Sequence, residues 1–128
     1  MKKSEQYHQN KSTYVRGIAV RARYTEELIK KLTTENNITQ IVNAAAGLDT
    51  YAWRINLPNN IKYFEIDYQD ILQWKIDQLK DEKLKLNMKP VFADLSSDDW
   101  SFKLMDAGFD SELSFFQYFV LRKFLEIS

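Results

Sequence analysis

Three positions in this chain are placed to meet on one ligand. Gly47 lies within NAAAGLDTYAWR, residues 43–54, Asp67 follows it by twenty positions, and Asp94 comes later still. Each closes a run of apolar or small residues that reads as a strand. A small residue at a strand end lets backbone approach a ligand, and an acid about 20 residues on can accept hydrogen bonds from ribose hydroxyls. That spacing fits an adenosine cofactor. The dinucleotide fingerprint G-x-G-x-x-G would need glycine at positions 45, 47 and 50, where the chain has Ala45, Gly47 and Thr50. A pyrophosphate requires close backbone approach over a longer arc than a sulfonium ligand does. S-adenosyl-L-methionine is therefore the better candidate, with a nicotinamide-dependent oxidoreductase fragment as the alternative. The plainer reading is that Gly47 only turns the chain and that Asp67 and Asp94 cap the helices after them.

The elements that must position these residues alternate. Val15 to Leu32 carries apolar residues at helical spacing, and Asn36-Asn37 ends that helix. Ile38 to Ala45 is nearly continuous in β-branched and small residues, the pattern of a first strand buried on both faces. Thr50 to Ile55 makes a short helix before Pro58, and Ile61 to Ile66 a second strand. Ile71, Leu72, Ile76 and Leu79 mark one face of a second long helix, and Lys80 to Lys89 reads as a charged connector. Pro90 starts a third strand through Ala93, since proline is tolerated at a first strand position. Ser96 and Asp99 resemble a helix-start cap, Gly108 stops the helix holding Trp100, Leu104 and Met105, and Leu113 to Leu121 is a fourth strand.

Strands alternating with helices predict an α/β chain. The expected fold is a Rossmann-like, partial doubly wound parallel sheet of about four strands with flanking helices. Residues 1–13 read as a flexible lead-in and 14–128 as one partial domain.

Composition narrows the partners. The 128 residues are 45% hydrophobic and 28% charged, as in globular proteins. Eighteen basic residues balance eighteen acidic ones, so no net field favours nucleic acid or an anionic membrane. Cysteine is absent, which removes disulfides, thiolate metal sites and a cysteine nucleophile. His8 is the single histidine and stands apart from other ligand types, so no metal site is expected. No stretch approaches the roughly 20 apolar residues of a membrane span. A cytoplasmic location is the expectation.

The motifs also resemble a known family. "IVNAAAGLDTYAWRI" is similar to the "VNLGAGLDTRAxRL" signature of the leucine carboxyl methyltransferase-like family of S-adenosyl-L-methionine-dependent methyltransferases. "ARYTEELI" at 22–29, "YFEIDYQDILQWK" at 63–75 and "FADLSSDDW" at 92–100 continue the match in the family's order. The resemblance implies that Arg23 pairs with the methionine carboxylate, for which a guanidinium fork is suited. It implies further that Gly47 lies beside the methionine moiety, Asp67 holds the ribose hydroxyls, and Asp94 with Leu95 meets the adenine. Asp49 and Arg54 belong to the signature and are expected to hold the loop by hydrogen bonds. Tyr51, Trp53, Trp74 and Trp100 are expected to be packing aromatics.

Two departures stand out. Ala45 replaces the family's first glycine, adding a methyl where backbone should come near the ligand. Where the family carries an acidic "EG" pair just after the fourth strand, this chain has "SFFQYFVLRKFLEIS". These features imply a chain shortened at both ends that keeps the cofactor half of the sheet. The implied chemistry is O-methyl transfer to a small-molecule or carboxylate acceptor by in-line displacement, which depends on alignment and water exclusion and nominates no catalytic residue. A different reading is an inactive remnant that self-associates through the Leu113 to Leu121 edge.

Overall fold

The computed structural model describes residues 23–35 and 37–111, and the backbone of 118–122. Residues 1–13 with His8, the first part of the Val15 helix, and positions 113–117 of the fourth strand lie outside the described residues. Helix α1 covers 23–35. There follow β1 (Gln40–Ala44), α2 (Tyr51–Arg54), β2 (Lys62–Asp67), α3 (Gln69–Gln78), β3 (Asn87–Phe92), α4 (Trp100–Asp106) and β4 (Tyr118–Arg122). All pairings are parallel, and the four-stranded order is β3-β2-β1-β4.

Alternation along the strands builds two cores. Ile41 and Tyr63 face one side of the sheet, where Ile29, Tyr51, Ala52 and Ile55 of the α1 and α2 region pack with Ile38, Ile61 and Leu86. Val42, Phe64 and Ile66 face the other side, against Val91, Ala93 and Leu104. Helices on both faces are what a parallel sheet requires, because neither face can be left wet. Full burial of each large side chain contributes about 1.5–3 kcal/mol relative to exposure.

The structure corrects the sequence expectation at a strand start and at a helix cap. β3 starts at Asn87 rather than at Pro90, so the charged connector is shorter than expected. Pro90 is tolerated inside the strand because β3 lies at the end of the sheet order and pairs only with β2 among the described residues, so an outward-facing position needs no ladder donor. The cap before α4 also differs. Asp99 is the N-cap residue with no side-chain cap hydrogen bond, while the Ser96 hydroxyl donates to Asp94 at 2.6 Å.

The two helix stops are built as expected. Asn37 adopts φ 57° directly before Ile38 turns into the core. At the end of α4, Gly108 has φ 110°; its N–H reaches the Met105 carbonyl, and the Phe109 N–H reaches Leu104. These two bonds form a Schellman motif, and Phe109 packs edge-on against Phe64 in the core that holds Leu104. Among the described residues no helix is long and apolar enough to cross a membrane.

Candidate functional site

The loop after β1 is left-handed twice. Ala45 has φ 58° and Gly47 φ 54°, so the chain leaves the strand, doubles back, and offers the Gly47 N–H to the end of β2. The Ala46 N–H donates to the Ile66 carbonyl at 3.2 Å, and the Gly47 N–H donates to Asp67 Oδ2 at 2.7 Å. A Cβ added to Gly47 would meet only that carboxylate, at an ordinary 3.9 Å. Glycine is needed there for backbone handedness rather than for space. At Ala45 a side chain occupies the same handedness, at a cost of about 1–2 kcal/mol.

Asp67 is held at both oxygens. Oδ2 takes the Gly47 amide and Oδ1 takes the Tyr68 amide at 2.8 Å. The helix-capping alternative does not apply, because Tyr68 is the N-cap of α3 and no side-chain cap bond is made there. Both carboxylate oxygens retain further lone pairs for additional donors.

Asp94 lies two residues past β3, the strand next to that of Asp67. The Ala93 N–H donates to the Asp67 carbonyl at 3.0 Å, which seats the two strand ends side by side. Asp94 Oδ1 accepts from the Ser96 N–H at 2.9 Å as well as from its hydroxyl, an Asx-type turn rather than a helix cap. These bonds lower the Asp94 pKa below its ordinary value, the Ser96 hydroxyl being the largest cause. Interaction with Asp94 is the largest cause of a raised Tyr68 pKa. Asp94 is thus an anion and Tyr68 a neutral phenol.

The remaining predicted residues divide. Leu95 is half-buried and packs onto the Val42–Phe64 core beside Trp100. Arg23 is exposed on α1, and no bond among the described residues ties it to the loop. Asp49 and Arg54 do brace the loop. The Asp49 N–H closes a turn onto Ala46 at 3.1 Å; Arg54 bonds Thr50 at 2.8 Å and pairs with Glu26 of α1 at 2.5 Å. Tyr51, Trp53 and Trp100 pack in or against the cores, whereas Trp74 is 55% exposed.

Four buried polar residues beneath the loop were missed by the sequence reading. Asn43, Tyr63 and Glu65 have no exposure and Lys75 has 3%. Lys75 Nζ donates to Glu65 Oε1 at 2.6 Å and to the Asp49 carbonyl at 2.8 Å. The Tyr63 hydroxyl donates to Glu65 Oε2 at 3.0 Å and accepts from Asn43 Nδ2 at 2.9 Å. Burial raises the Glu65 pKa, outweighing the attraction of Lys75, and burial first and Glu65 second push the Tyr63 phenol well above its ordinary value. The signal was present: Glu65 interrupts an otherwise apolar strand, and Lys75 falls three residues after Leu72 on the buried stripe of α3. An acid and a base at facing buried positions must find each other.

Comparisons with known proteins give the family. The family model described as leucine carboxyl methyltransferase matches residues 1–121. A Rhodococcus jostii protein, named as a candidate S-adenosyl-L-methionine-dependent methyltransferase, is 37% identical over 92 residues, covering 70% of this chain and 31% of its own length. A Mycolicibacterium smegmatis protein of similar name is 38% identical over 95 residues, covering 73% and 31%. One from Saccharopolyspora erythraea is 35% identical over 98 residues, covering 75% and 33%. The chain spans about a third of the length of these relatives.

Proposed function

The chain belongs to the leucine carboxyl methyltransferase family, and from that membership and the loop geometry we propose that it forms the S-adenosyl-L-methionine-binding half of a methyltransferase. The observation that carries this reading is the Asp67 carboxylate, fixed by the Gly47 and Tyr68 amides at the ends of two adjacent parallel strands. Ligands of open α/β sheets bind beyond such ends.

The donor set fits the cofactor. Asp67 offers an oriented acceptor to a pair of ribose hydroxyls. Asp94, kept ionised by Ser96, accepts from the adenine amino group, and Leu95 supplies an apolar edge beside it. Gly47 and Ala45 border the methionine arm, and Arg23 pairs with its carboxylate. Bound there, S-adenosyl-L-methionine supplies a sulfonium methyl for displacement by an oxygen of a small-molecule or carboxylate acceptor. The acceptor side belongs to the part of the family fold that follows β4. No residue described here is assigned as a catalytic base.

Calorimetric titration of this chain tests the reading. Saturable binding of S-adenosyl-L-methionine is expected, with loss of at least tenfold in affinity in Asp67→Ala and no binding of a nicotinamide dinucleotide. A silent titration at millimolar cofactor, or preference for the dinucleotide, would overturn it.

A further inference from the structure

The buried network beneath the loop has no place in holding a nucleoside, yet it grips one residue from two sides. Lys75 donates to the Asp49 carbonyl at 2.8 Å, and Asn43 Nδ2 reaches Asp49 Oδ2 at 3.3 Å. Asp49 lies two residues past Gly47, inside the same turn, with its own N–H on Ala46. The grip therefore connects α3 and the middle of the sheet to the segment that carries the Gly47 amide.

Stability alone gives little reason for such a cluster. A buried ion pair is often matched or bettered by apolar residues of similar volume, because desolvation offsets the attraction. Asn43 Oδ1 is buried with no hydrogen-bond partner among the described residues, which adds a cost. What the network provides and an apolar core does not is direction: two donors aimed at one loop residue. Lys75 also lies 5.8 Å from the Trp53 ring centroid, so its ammonium is braced from the α2 side as well.

We propose that Lys75 and Asn43 are positioning residues, clamping Asp49 so that the Gly47 N–H stays on Asp67 and the cofactor loop is preformed. The effect on affinity rests on the cofactor reading above; the effect on the loop does not. Glu65 and Tyr63 orient the two donors from below. A preformed loop spares the ligand the ordering it would otherwise have to impose.

The test compares the parent with Lys75→Met and with the double variant Glu65→Gln/Lys75→Met, which removes both charges while nearly preserving volume. Amide hydrogen exchange is followed at Ala46, Gly47 and Asp49 and, as the control, along β1 and β2. In the double variant the three loop amides are expected to exchange at least tenfold faster while the strand amides keep their protection, with cofactor affinity at least tenfold weaker. Loop amides exchanging at the parental rate would overturn the proposal. So would equal acceleration of loop and strands, which would mean that the pair only holds the core together. If the parent binds no S-adenosyl-L-methionine but the loop still loosens selectively in the double variant, the cofactor reading fails and the clamp stands.

Discussion

At Ala45 the chain holds a methyl-bearing residue at φ 58°, a conformation that glycine adopts without steric cost. Ala45→Gly relieves about 1–2 kcal/mol of left-handed strain and gives back roughly 0.5–1 kcal/mol in unfolded-chain entropy. A net gain of about 0.5–1 kcal/mol is expected in urea unfolding, together with tighter cofactor binding; a loss of stability would show that the methyl has a packing role. Asp67→Asn is the complementary change. It keeps the shape but leaves one oxygen for the two amides of Gly47 and Tyr68, and removes the charge that strengthens both bonds. Cofactor affinity should fall about ten- to a hundredfold, with the far-ultraviolet circular dichroism unchanged. The acid and the glycine were legible from spacing. The carboxylate's grip on the Gly47 amide was not, since it depends on a backbone handedness that an alanine at position 45 gives no reason to expect.

Within the elements, the charged pair between β2 and α3 makes stability depend on pH. The Glu65 pKa is raised in the folded chain, mainly by burial, so above the ordinary carboxylate value the unfolded chain has released a proton that the folded chain keeps. Stability accordingly falls as pH rises from the ordinary value through the raised one, because the folded state then binds more protons than the unfolded. In Glu65→Gln this fall should vanish from the pH series of urea midpoints, while overall stability drops by about 3 kcal/mol for the unpaired buried Lys75. At the end of α4 the relevant force is backbone strain. Gly108→Ala meets no atom within 4 Å but must hold φ 110°, so a loss of about 1–2 kcal/mol is expected without change in the core. Helix stops and the alternation of elements could be read from glycine, asparagine and apolar period. The start of β3 could not, because Asn87 and Lys89 are polar residues that flank Met88 and are recruited into a strand by pairing with β2.

For the molecule as a whole, the parallel order β3-β2-β1-β4 puts Asp67 and Asp94 on neighbouring strand ends, with β4 at the far end of the described sheet. A strand with one neighbour presents unpaired backbone groups. The isolated chain is therefore expected to associate through β4 at micromolar concentration, and a single monomeric boundary in sedimentation velocity would contradict this. Sequence by itself determined the α/β class, the alternation of elements and the acids at strand ends, because period and turn chemistry are local properties of a few consecutive residues. Tertiary structure decided which atoms meet: the Gly47 amide on Asp67, the Ala93 amide on the Asp67 carbonyl, and Lys75 on Asp49 from another element. Those contacts arise only when the strands pair and the crossovers fold α3 over the sheet, and a buried charge is then driven to whatever partner the packing brings within reach.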